Sequence, residues 1–337
     1  MKPGRAALLG SRLVEWYGRG HRDLPWRRTS DPYRIWVSEI MLQQTRAAVV
    51  IPYYERFLGR FPTVEALARA PEEQVLALWS GLGYYSRARN LRLAAIQVAH
   101  AGRFPCDYES LRQLRGVGDY TAAAIASIAF SEPCAVLDGN VLRVVARVES
   151  DSSDIGAPAT RERFRSIAQL WLADHSPAVF NQALMELGAT VCLPRRPRCE
   201  ACPVAAHCQA HQQGKQAQLP VKLRRQSPVR LEEIVMVVRT RGRVLLRQRA
   251  ADARRMAGFW DLPGPADLPQ ARLGAPIGEF RHTITHHHYS VVVLEARAAR
   301  PASGGTAFRS FLPSELVAIP LSTVARKGLR LAGVIIS

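Results

Sequence analysis

The sequence predicts two domains of different class: a mainly α N-terminal region, then a smaller α+β domain. Three observations carry this. Apolar residues recur at helical spacing from residue 5 to about 190. A polar, aperiodic stretch over 209–228 then interrupts the pattern and reads as a linker. Beyond it the chain turns to short runs rich in valine and leucine, which read as strands. At 337 residues there is enough chain for two cores. The expected domains are 1–212 and 231–337, joined through 213–230.

Taken in order, residues 5–20 place Leu8, Leu9, Leu13, Trp16 and Tyr17 on one helix face. Asp31-Pro32 pairs an N-cap acid with a first-turn proline, so a helix is expected through YRIWVSEIMLQQT, residues 33–45. Thr63 caps a helix at 65–69, another follows at 72–78, and Gly81-Leu82-Gly83-Tyr84-Tyr85 breaks the pattern before a helix over 86–101. Residues 111–148 read as helix, glycine hairpin (Gly116-Val117-Gly118), helix from Asp119, short turn, and a third helix opened by Asp138. Helical spacing continues over 160–190. Strands are expected at 233–239, 243–247, 290–294 and 308–312, with a helical tail near 322–332.

The formal charge of +18 predicts a polyanionic partner, nucleic acid or an acidic membrane surface. No apolar run approaches a membrane span, and the first residues lack a signal-peptide pattern, so a cytoplasmic, monomeric protein is expected. Between Val221 and Met256, eleven Lys/Arg against three Asp/Glu make either a solvated basic face or a nucleic-acid contact; the basic remainder of the chain favours the contact.

Several residues could carry chemistry. Glu39 sits among Trp36, Val37, Ile40 and Met41; desolvation there would raise its pKa, although the helix alone favours a surface or salt-bridged glutamate. The glycines of the hairpin permit positive φ, and the N–H groups around it could face one phosphate. Asp138 is either an N-cap or a catalytic carboxylate, roles that are compatible. Tyr84 and Tyr85, followed by Arg87 and Arg89, suit insertion between bases beside phosphate contacts, or a place in the core. Cys192-x6-Cys199-x2-Cys202-x5-Cys208 indicates a metal site. Zinc is the default for four thiolates, but the single C-x2-C knuckle and uneven spacing suit an iron–sulfur cluster. Cys106 and Cys134 are expected in the core. Adjacent histidines at 286–288 should point to opposite faces of a strand, which argues against a metal site there.

Together, the hairpin with its downstream Asp138 and the cysteine loop resemble the endonuclease III superfamily of DNA glycosylases. VSEIMLQQT (37–45), GLGYYSRARNL (81–91), LDGNV (137–141) and the additional C-terminal domain resemble the adenine DNA glycosylase (MutY) family within it. The resemblance implies a helix-hairpin-helix glycosylase domain holding one 4Fe–4S cluster on Cys192, Cys199, Cys202 and Cys208, followed by a Nudix-like domain. It implies a DNA partner carrying adenine opposite 8-oxoguanine or guanine, and hydrolysis of the glycosidic bond of a flipped adenine. Glu39 would then protonate adenine, Asp138 would stabilise the sugar cation, and Asn140 would lie near the sugar and its water. The adenine pocket would comprise Arg22, Leu24, Trp26, Leu42, Gln44, Thr45, Tyr120 and Glu186. Gln43 and Tyr84 would fill the opposite-strand side. Arg87 and the hairpin at Gly116, Val117 and Gly118 would contact the backbone.

Lyase members of the superfamily form a Schiff base through a lysine at the position of Tyr120, so a monofunctional hydrolase is expected here. In the C-terminal domain, Ile284-Thr285-His286 stands where the family usually has Phe-Ser-His for reading 8-oxoguanine, and no Nudix box is present. The alternatives are an endonuclease III-like lyase on oxidised pyrimidines and a non-catalytic iron–sulfur DNA-binding protein.

Overall fold

The computed structural model describes residues 3–223, 227, 229–250, 252–253, 256–284, 286–297 and 308–335. Its two compact units are not simple halves of the chain. One comprises 1–68 with 93–225, the other 69–92 with 226–337. The domain expected at 1–212 contained 69–92, but that segment packs with the C-terminal residues. The Ser80 hydroxyl donates to the Leu321 carbonyl at 3.1 Å, Tyr85 stacks against Phe259 at 4.2 Å, and Arg89 donates to the Ala257 carbonyl.

The helices run α1 (Pro3–Arg19), α2 (Pro32–Leu42), α3 (Ala47–Arg60), α4 (Val64–Arg69), α5 (Glu72–Trp79) and α6 (Ser86–Ala101). They continue with α7 (Tyr108–Arg112), α8 (Asp119–Phe130), α9 (Gly139–Val148), α10 (Pro158–Leu172), α11 (Pro177–Thr190) and the single turn α12 (Gln209–Gln212). In the first unit, α1, α8, α9, α10 and α11 share a core that includes Leu13, Val144, Phe164, Trp171 and Phe180.

Helix α2 is buried on every side from Ile35 to Met41, which makes it a central helix rather than an amphipathic surface one. It packs on α8, whose buried Ala122, Ala123, Ala124 and Ala126 allow a close approach. The Asp31 carboxylate caps α2 by accepting from the Tyr33 N–H at 2.8 Å. The helix ends at Leu42, three residues short of expectation. Gln44 turns into the left-handed region (φ 58°) and the Thr45 N–H closes back on the Leu42 carbonyl at 3.1 Å. Between α7 and α8, Gly116 takes a positive φ of 79° as the hairpin requires.

The second unit holds a mixed sheet in the order β3-β2-β1-β5-β4, with β6 also pairing β2. Its strands are β1 (Val229–Thr240), β2 (Arg243–Gln248), β3 (Trp260–Asp261), β4 (Arg272–Ile284), β5 (His287–Arg297) and β6 (Phe308–Phe311). β1 and β5 run parallel, while β2 is antiparallel to β1, β3 and β6, and β4 is antiparallel to β5. Helix α13 (Thr323–Leu331) places Val324, Ala325 and Leu329 against Val235, Val237, Val291 and Val293, completing an α+β core. Ser322 caps it, accepting from the Ala325 N–H at 2.9 Å.

β3 and β4 are absent from the sequence expectation, and β1 and β5 are longer than expected. Strand β4 was hidden because RLGAPIGEFRHTI carries glycines, a proline and two register shifts against β5. Cys106 is exposed, not in the core as expected, while half-buried Cys134 packs against the core of the first unit. No helix among the described residues is long and apolar enough to cross a membrane.

Candidate active site

A cavity of about 1150 Å³ opens in the first unit between α2, α8, the start of α9 and α11. Glu39 reaches it from α2, one turn before the helix ends, and is only 4% exposed. Tyr120, in the first turn of α8, donates its hydroxyl hydrogen to Glu39 Oε2 at 2.5 Å, and the Met185 sulfur lies 3.1 Å from the Tyr120 hydroxyl oxygen. Burial raises the Glu39 carboxyl to about 7, and the neighbouring Asp138 charge pushes the same way; the Tyr120 hydrogen bond and Arg27 oppose the rise.

Asp138 is brought there by a segment with little freedom. Buried Asn181 accepts from the Val136 N–H at 3.1 Å and donates to the Cys134 carbonyl at 2.8 Å. Gln169 holds Ala135 and Pro133 in the same manner, at 2.8 and 2.7 Å. Asp138 then caps α9, Oδ1 accepting from the Val141 N–H at 2.7 Å, while Oδ2 accepts from the Asn140 amide at 2.9 Å. Burial raises its pKa even against those hydrogen bonds and Arg143. Asn140 is fixed from behind, because Arg143 donates to its Oδ1 at 2.8 Å and to the Gly188 carbonyl at 2.8 Å. Only glycine fits at 188: an added Cβ would lie 2.5 Å from that of Asn140.

Arg22, Leu24, Trp26, Leu42, Gln43, Gln44, Thr45, Gly116 and Gly118 line the same cavity. Gln43 donates to the Thr121 hydroxyl at 3.3 Å. Val117, Glu186, Arg87 and Tyr84 are not on that lining. Val117 is buried, so only its backbone is presented at the hairpin. Glu186 sits behind the wall, because Arg22 (2.8 and 2.7 Å) and Arg27 (2.7 Å) cover its carboxylate. Burial works against the charge there, yet those hydrogen bonds hold its pKa down at about 2. Arg87 belongs to the second unit and spends its guanidinium on the Leu82 and Gly83 carbonyls and over the Trp79 and Tyr84 rings; burial lowers its pKa to about 10. Tyr84, in the same unit, is 41% exposed and held at φ 49°.

Arg27 was missed, because its partner lies 159 residues away and no local pattern reveals it. Met185 was missed because a methionine one residue before a glutamate carries no signal. In the second unit, His286 is in the turn between β4 and β5, not on a strand, and its ring lies 4.1 Å from that of His287 instead of on an opposite face. Ile284 ends β4 in its backbone; its side chain and Thr285 lie outside the described residues.

Cys192, Cys199, Cys202 and Cys208 line one small apolar cavity against Val144, Val148, Leu187 and Val204. Among the described residues no three His, Cys, Asp or Glu side chains close to single-ion spacing. Four thiols round a common apolar space instead fit a polynuclear cluster, whose bridging sulfides keep the cysteines apart. Arg147 donates to Cys192 Sγ at 3.3 Å and to the Leu193 carbonyl at 2.7 Å, a cation suited to thiolate ligands.

Comparison with known proteins agrees with these features. The HhH-GPD superfamily base excision DNA repair protein family matches residues 37–170, and the iron–sulfur binding domain of endonuclease III matches 192–208. Those cysteines therefore constitute an iron–sulfur domain of the 4Fe–4S kind. The adenine DNA glycosylase of Homo sapiens is 47% identical over 224 residues, which is 63% of this chain and 41% of that protein. That of Mycobacterium tuberculosis is 44% identical over 204 residues, 60% of this chain and 67% of that protein. The structure of a thermostable thymine-DNA glycosylase superposes with a TM-score of 0.56 at 28% identity, covering 62% of this chain and 98% of that one. The match thus spans well under half of the human relative and about two thirds of the mycobacterial one. On the shared helical domain, the cysteine loop and this level of identity, the chain belongs to the adenine DNA glycosylase family.

Proposed function

We propose that this protein is a monofunctional DNA glycosylase. It would hydrolyse the bond between N9 and the deoxyribose of adenine mispaired with 8-oxoguanine or guanine, leaving an abasic site. The observation that carries the reading is the meeting of Glu39, Tyr120 and Asp138 in one cavity, with Glu39 raised to about 7. A carboxyl poised near neutrality can supply a proton, and a second carboxylate beside it can face a cation.

Adenine flipped into the cavity would meet protonated Glu39 at N7. As the proton transfers, the C1′–N9 bond breaks and its electron pair leaves with the base, which departs neutral. The oxocarbenium-like sugar is stabilised by the Asp138 carboxylate, which Asn140 holds in place. Water adds at C1′ and its proton returns to the ionised Glu39. Tyr120 offers no amine for a Schiff base, so no strand cleavage follows. The cluster, when bound, supplies structural and DNA-orienting support through Arg195, Arg196 and Arg198 of its loop. The 231–337 domain reads the opposite base with Ile284, Thr285 and His286, and Tyr84 fills the stack. The protein acts as a cytoplasmic monomer on duplex DNA.

The test is base release from duplexes carrying adenine opposite 8-oxoguanine, guanine or thymine, with borohydride trapping alongside. Release opposite the two purines without a trapped adduct is expected. A trapped adduct, or release of thymine glycol instead of adenine, would overturn the assignment.

A further inference from the structure

Asp119 is an acid in the first turn of α8, the end of the helix whose free N–H groups and dipole favour an anion. Its carboxylate is held from two sides. Arg112 of α7 contacts Oδ1 at 2.8 Å and Arg165 of α10 contacts Oδ2 at 3.1 Å. Each arginine also faces a lesser acid, Glu109 at 3.9 Å from Arg112 and Glu162 at 3.1 Å from Arg165. Tyr108 faces Asp119 too. The three side chains remain 45%, 42% and 33% exposed, in the order Asp119, Arg112, Arg165. Gly116, Gly118, Asp119, Arg161 and Arg165 all lie on the cavity's lining. Ion pairs this exposed return little stability, so folding alone does not account for the arrangement.

We propose that Asp119 is an internal counter-ion to the phosphate grip: in the free protein it neutralises the start of α8 and occupies Arg112 and Arg165, and duplex phosphate displaces it. The inference rests on the DNA reading above and adds an affinity determinant to it. Asp119 weakens binding to any duplex regardless of sequence, which keeps a chain of net charge +18 from being retained on DNA without a mispair. Removing the acid has two opposed effects. It lifts a like-charge repulsion against the incoming phosphate, worth roughly five- to tenfold in affinity in a half-solvated mouth. It also loosens two arginines, a smaller loss because their pairs are exposed. The repulsion decides the sign.

The experiment is fluorescence anisotropy on the full chain with a labelled, fully matched duplex of about 30 base pairs, across a potassium chloride series. Asp119→Asn should bind roughly five- to tenfold tighter. Its log–log salt slope should stay within about one of wild type, because the same two arginines reach phosphate in both proteins. Asp119→Glu keeps the charge and should stay within about twofold of wild type. Asp119→Ser carries the same expectation as Asp119→Asn and covers the case in which that variant melts early. Adding Arg112→Gln or Arg165→Gln to Asp119→Asn should return much of the gained affinity. Binding of Asp119→Asn that is unchanged or weaker overturns the proposal and makes Asp119 a positioning residue for the two arginines. Adenine release by the wild-type sample, measured alongside, separates this outcome from failure of the glycosylase reading itself.

Discussion

Glu39 and Glu186 are buried to the same degree, 4% and 2% exposed, on two helices of one unit. Their chemistry is opposite. Glu186 is clasped by Arg22 and Arg27 and held at about 2, a permanent anion, in spite of burial. Glu39 takes its hydrogen bond from a neutral hydroxyl, faces a second acid and is lifted to about 7. Burial alone therefore does not set the protonation state; the partner does. One glutamate is spent on architecture, and the other is kept at the pKa a proton donor needs.

The largest expected effect lies on the Glu39 side of this contrast. Glu39→Gln keeps the shape but has no proton to give, so single-turnover adenine release should fall by roughly a thousandfold. Duplex binding should change little. Activity near wild type would remove Glu39 from the mechanism.

The Glu186 side should appear in stability. Glu186→Gln leaves two arginines without their carboxylate, one of them only 10% exposed, and should destabilise by roughly 3 kcal/mol in denaturant melts. Because the folded pKa is depressed, this contribution is present above the unfolded value of about 4.5 and is lost as pH falls toward 2. The gap between wild type and variant should therefore shrink on acidification, and a gap independent of pH would contradict the clasp.

Glu39 has the reverse sign. With a raised folded pKa, ionisation penalises the folded state progressively from about 4.5 up through about 7. Glu39→Gln should thus be more stable than wild type at about pH 8.5, by at most roughly 3 kcal/mol, and not at about pH 5. An equal gain at both would show that Glu39 carries no raised pKa.

What could be read from the sequence follows the reach of the forces involved. The apolar neighbours of Glu39 lie within its own helix, so its desolvation was legible. The Asp31 cap, the glycine hairpin and the cysteine run are local in the same way. Arg27 on Glu186 and the grouping of 69–92 with the C-terminal unit depend on contacts more than 150 residues apart, which no periodicity records. Strand β4 stayed hidden because its neighbours in the sheet, not its propensities, hold it extended. The turn at Gln43-Gln44, which ends α2 early and carries both side chains to the cavity, was masked by a helix-favouring sequence. Asp119 was read as a helix start; its two arginines come from other helices.

The pH profile of single-turnover adenine release, for wild type and Tyr120→Phe, tests the poised acid most directly. Release should fall as pH rises through about 7, where Glu39 loses its proton. Tyr120→Phe removes the hydrogen bond that holds that pKa down, so its alkaline limb should move to higher pH. A wild-type rate that stays flat to about pH 9, or a limb unmoved in Tyr120→Phe, would contradict it.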